Sequence, residues 1–110
     1  MSSDDTHDHR TEELDDTVDA ADEMIREARA RLAEVPPEVV VTNHVMGLYE
    51  LAAIHLSAQP ARLAEAALAI DAMGCLVEGL GERLGPDHVT LAEALSNIRI
   101  AFVQIKSAHA

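Results

Sequence analysis

The sequence predicts an all-α fold: an antiparallel three-helix core preceded by an acidic amphipathic N-terminal helix. Three observations point there. Apolar residues recur at alternating steps of 3 and 4 along most of the chain, which keeps them on one side of a helix. The prolines, at positions 36, 37, 60 and 86, fall between those runs rather than inside them. Aromatic residues are only 2% of the chain, few for a β-sandwich or barrel, while 48% apolar residues suffice for a packed core.

Residues 1–10 read as a disordered acidic tail, since nothing in them offsets the entropy of ordering. The first helix follows over 11–35. Its seam is Leu14, Val18, Ala21, Ile25, Ala28, Leu32 and Val35, with Thr11 as the expected N-cap. Glu12, Glu13, Asp15 and Asp16 suit the positive end of the helix dipole, and Arg26, Arg29 and Arg31 the negative end. Pro36 and Pro37 stop this helix. Pro37 then opens a second one, expected to run to about Ser57 although Val39-Val40-Val41 is locally strand-like. A third helix is expected from Pro60 to about Leu84, on the seam Leu63, Ala66, Ile70, Met73, Val77, Leu80 and Leu84. Gly85-Pro86 should end it, and Asp87 should cap a fourth helix with the seam Leu91, Leu95, Ile98, Phe102 and Ile105. Short connections make helices two to four antiparallel neighbours, so residues 36–110 read as one helical core domain.

Charge narrows the function. Eight basic against twenty acidic residues give a net charge of −12, which repels phosphate backbones and disfavours nucleic-acid binding. Ten of the acids lie in residues 1–23, opposed there by Arg10 alone. The apolar second helix is interrupted by Asn43, His44, Glu50 and His55, so it is not read as a membrane span. A single cysteine forms no internal disulfide, and no basic segment followed by an apolar run opens the chain; both fit a cytoplasmic protein.

Three segments carry a resemblance: PPEVVVTNHVMGLYELAAIHLSAQP (36–60), LAIDAMGCLVEGLGERLG (68–85) and LAEALSNIRIAFVQIK (91–106). Together they resemble a family of small actinobacterial helical proteins called domain of unknown function 1844. The resemblance spans residues 36–106 and leaves out the acidic helix. It implies a small helical cytoplasmic protein with no assigned reaction, and hence no catalytic residues to carry over. It also implies a translation-linked setting, in which the acidic arm would dock to a basic protein partner.

No constellation of residues suggests an enzyme. Glu12-Glu13 and Asp15-Asp16 have no apolar pocket to raise a pKa, and Gly79, Gly81 and Gly85 lie in or end a helix rather than form a phosphate loop. Cys75 reads as a buried structural cysteine. His7 and His9 read as solvated linker, with weak metal binding as the alternative. His44 and His55 lie on one helix face about three turns apart, too far for one ion within the helix. They read as histidines at the core edge, with Asn43 beside His44 forming a buried polar pair. The alternative is a metal or small-ligand site shared across a symmetric dimer. No cofactor is expected.

The most unusual element is the second helix. Val41, Val45, Leu48 and Ala52 form one apolar stripe, and Met46, Tyr49, Ala53 and Leu56 form another a quarter-turn away. So wide an apolar arc needs cover on more than one side. Either the first helix folds back to complete a four-helix bundle, or a second copy covers it. The reading preferred is a non-enzymatic, self-associating interaction module. Its interface would join the second helices, or seat them on a small-residue stripe (Ala67, Gly74, Gly81) of the third. The first helix, through Leu14, Val18, Ile25 and Leu32, would then be free to bind a partner.

Overall fold

The computed structural model describes residues 2–109, with side chains from Thr11 onward. The readings placed on the side chains of 1–10, His7 and His9 among them, lie outside those residues. The fold is an all-α helical bundle, and no strand occurs among the described residues. Its elements are α1 (Ser2–Glu34), α2 (Pro37–Leu56), α3 (Leu63–Leu80), a 3₁₀ segment (Gly81–Asp87) and α4 (His88–Ala108). The chain divides into two compact units, Met1–Val35 and Pro36–Ala110.

The first unit is a single helix. Thr11 lies inside α1 rather than at its start, so it is not the N-cap. Further along, the Thr17 hydroxyl donates to the Glu13 carbonyl at 2.9 Å, one turn back. Beyond Glu34 the Pro36-Pro37 pair removes two backbone donors in succession, and helical hydrogen bonding cannot propagate across it.

In the second unit Pro37 occupies the first turn of α2, where its missing N–H is not needed. The Val39 N–H reaches back to the Pro36 carbonyl at 3.0 Å. Valine-rich or not, the segment is helical, because burying a helical stripe outweighs the weak local strand preference. The helix ends at Leu56. The Arg62 N–H then bonds to the His55 carbonyl at 2.9 Å, which holds the connection against the end of α2.

Helix α3 is shorter at both ends than the sequence suggested. It starts at Leu63, since Pro60 and Ala61 precede any helical hydrogen bond. It stops at Leu80, because Gly81 adopts φ +52° while its N–H still bonds to the Val77 carbonyl. Gly85, at φ +85°, bends the chain again. Between them Leu84 turns inward and is buried. Asp87 makes no side-chain cap to α4. The 3₁₀ segment feeds directly into the helix: the His88 N–H bonds to the Gly85 carbonyl, and Asp87 has a helical backbone (φ −86°, ψ 0°) rather than the extended one of a capping residue.

Helices α2, α3 and α4 and the 3₁₀ segment all pack on one another. The shared core holds Val45, Ala52 and Leu56 from α2, Ala66, Ile70, Met73 and Val77 from α3, and Leu91, Leu95 and Ile98 from α4. By length and composition alone α2 is apolar enough to cross a bilayer, as core helices also are; its inner side is packed within this unit.

Two glycines separate backbone need from helix cost. Gly79 lies in the last turn of α3, and a Cβ added there would meet nothing within 4 Å, whereas Gly81 needs its positive φ. Gly79→Ala is expected to stabilise the fold by about 0.5–1 kcal/mol. Gly81→Ala is expected to destabilise it by at least about 1 kcal/mol. Urea unfolding of both variants checks the contrast.

Candidate interaction surfaces

Helix α2 was the expected source of an interface, and the structure inverts much of that expectation. Val45, Ala52 and Leu56 are buried in their own unit, and Val41, Leu48, Tyr49 and Ala53 are half-buried against the same core. Val45, Ala52 and Leu56 are therefore core, while the other four flank it and keep part of their surface open. Of the residues named for the interface on this helix, only Met46 is exposed. The uncovered side runs through Val39, Asn43, Met46, Glu50 and Ile54, at steps of 4, 3, 4 and 4, with Gly47 and Leu51 beside it. Ile54 is 65% exposed and Val39 46%, so large aliphatic side chains face outward along this row.

The polar residues shift with that rotation. Asn43 and His44 are exposed, not a buried pair, and His55 is half-buried. The polar side chain that is buried is Thr42, whose hydroxyl meets the Leu84 carbonyl at 3.5 Å. That contact, long for a hydrogen bond, gives a carbonyl of the 3₁₀ segment a partner inside the core. No group of three or more His, Cys, Asp or Glu side chains able to hold a metal occurs among the described residues.

The glycine stripe of α3 also has a different cause. A side-chain carbon on Gly74 would lie 2.6 Å from the Arg99 guanidinium. The atoms nearest that carbon are therefore the ends of the Arg99 and Glu78 side chains, with no backbone of another helix among them. Arg99 then reaches Glu78, with an Nη2 to Oε1 distance of 2.6 Å. Both side chains are well exposed, at 46% and 63%, so the pair contributes at most about 1 kcal/mol. Gly81 has open space around it and is explained by its φ alone. Cys75, expected to be buried, is exposed: two positions from both Met73 and Val77, it points away from the side they bury.

Alongside the Arg99–Glu78 pair lies an open groove of about 750 Å³ between α3 and α4. Val77, Ala92 and Leu95 line its apolar wall, His88 lies toward one end, and Ile100 and Val103 form an exposed flank. The surface is chemically suited to apolar contact, with one ion pair fixing its edge.

The arm residues Leu14, Val18, Ile25 and Leu32 are all exposed on α1. No family model matches the chain, and no curated protein or solved structure matches it either.

Sequence reading missed the Arg99–Glu78 bridge because its ends are 21 residues apart on different helices. The one signal was Gly74, which was assigned to a neighbouring helix. Coupling between the three residues is measurable. Gly74→Ala alone is expected to fall short of the full helix-propensity gain, since the guanidinium must swing aside. In an Arg99→Ala background the same change should recover about 0.5–1 kcal/mol more, a double-mutant cycle read by urea unfolding.

Proposed function

We propose that the protein is a non-enzymatic helical interaction module that self-associates. Its core is an antiparallel three-helix unit, a reading supported by the short connections after α2 and α3. An acidic amphipathic helix precedes it. The observation that carries the proposal is the outward row of α2, where Val39, Met46, Leu51 and Ile54 remain exposed after the three helices have packed.

The occupant argued for that row is a second copy of the chain. At net charge −12, two copies repel wherever their carboxylates face each other. Along the outward row Glu50 is the one acidic residue, with Asn43 as its other polar member. It is thus a charge-poor face on which two like-charged molecules can approach with little repulsion, and burying its aliphatic residues drives the association. The family resemblance supplies no reaction and adds no residue to this reading.

Light scattering on the full chain is expected to show a molar mass that rises with concentration toward twice the monomer. Ile54→Asp places a charge in the row and is expected to weaken association roughly tenfold or more. Leu68→Asp, at an exposed site on α3, should leave it unchanged. A monomer at every concentration sinks the proposal.

A further inference from the structure

The seam of α1 is the second apolar surface without cover. α1 is the only element of its unit, so nothing within that unit can bury Leu14, Val18, Ile25 and Leu32. All four are exposed, Leu14 at 66%, and Met24 beside the seam is exposed as well. A helix gains most of its stability from packing its apolar face. We infer that α1 pairs with α1 of a second copy as an antiparallel two-stranded coiled coil. The inference rests on the self-association reading above and gives the same pair of copies a second contact surface.

Charge sets the direction. Residues 11–23 hold seven acids and no base, whereas residues 24–35 hold Arg26, Arg29 and Arg31 against Glu27 and Glu34. Parallel pairing stacks the two acidic halves side by side. Antiparallel pairing sets each acidic half against the arginine-bearing half of the other copy, which is electrostatic complementarity of a chain with itself.

Side-chain size sets the register. The seam mixes large residues, Leu14, Val18, Ile25 and Leu32, with small ones, Ala21 and Ala28. Parallel pairing makes two layers of alanine against alanine, which leaves the seam thin. The antiparallel register that keeps a large residue in every layer sets Leu14 against Leu32 of the partner subunit, Val18 against Ala28 of the partner subunit, and Ile25 against Ala21 of the partner subunit. In that register Asp15 and Arg29 share a heptad position flanking the seam, so Asp15 meets Arg29 of the partner subunit, twice by symmetry. Met24 meets its own copy on the opposite flank. Asp22 also meets its own copy, the one repulsive contact of the arrangement.

The test uses full-length chain and two readouts. Asp15→Arg alone and Arg29→Asp alone are each expected to weaken association roughly tenfold, because two attractive contacts become repulsive. The double variant should restore it to within about twofold. Second, chains carrying Ala21→Cys or Ile25→Cys, each with Cys75→Ser, are mixed and oxidised. Antiparallel pairing gives mainly the mixed disulfide between positions 21 and 25. Disulfides linking like positions, or a double variant no tighter than the single ones, overturn the inference. A dimer indifferent to all the α1 changes but lost in Ile54→Asp overturns this inference alone and leaves the proposed function standing. Loss through α1 with indifference to Ile54→Asp does the reverse for the α2 surface.

Discussion

The packed unit depends on the buried face of α3. Ala66 and Ala69 let neighbouring helices approach closely, while Ile70, Met73 and Val77 fill the space this leaves. Met73 and Ala66 are wholly enclosed, and both α2 and α4 lean on this face. Small residues at one level and large ones at the next are what allow three helices to share a core without large aromatic side chains. Phe102 and Tyr49, the two aromatic residues, sit only at its edge.

Around that face, the ends of the helices are set by backbone chemistry more than by side-chain caps. None of α2, α3 and α4 has a side-chain cap hydrogen bond at its N-terminus. Proline at the start of α2, positive-φ glycines after α3 and backbone hydrogen bonds across the connections set those ends instead. The consequence is that Leu84 is delivered into the core from a 3₁₀ segment rather than from a helix, with the Thr42 hydroxyl facing its carbonyl.

The all-α class was legible in the sequence, and so were the inner faces of α3 and α4, because their larger apolar residues mostly keep a 3–4 spacing along one side. Leu91, Leu95 and Ile98, read from spacing, are buried, as are Ala66, Ile70, Met73 and Val77. The inner face of α2 was only partly legible. A helix apolar nearly all round offers no periodic contrast, so spacing alone could not separate the stripe with Val45 and Ala52, which is buried, from the row with Val39 and Ile54, which is not. The polar clue was there, one position from where it was sought: Thr42 can turn its short hydroxyl to a carbonyl inside the core, whereas Asn43 carries an amide with more bonds to satisfy. Glycines misled for a related reason. Their lack of a side chain reports that something needs space or an unusual φ, but not whether that something is a helix, an arginine or the chain's own turn.

The division at Pro36 has a consequence for how the molecule responds to its medium. More than half of its carboxylates lie in the first 35 residues, while the part that carries the tightly filled interior holds eight acids and four bases. Screening by dissolved ions acts on fields among exposed charges and scarcely at all on dispersion contacts inside a dry interior. Ionic strength therefore tunes the leading helix and leaves the packed helices largely indifferent, so that one short polypeptide contains an electrolyte-sensitive part and an electrolyte-insensitive part joined at a pair of prolines.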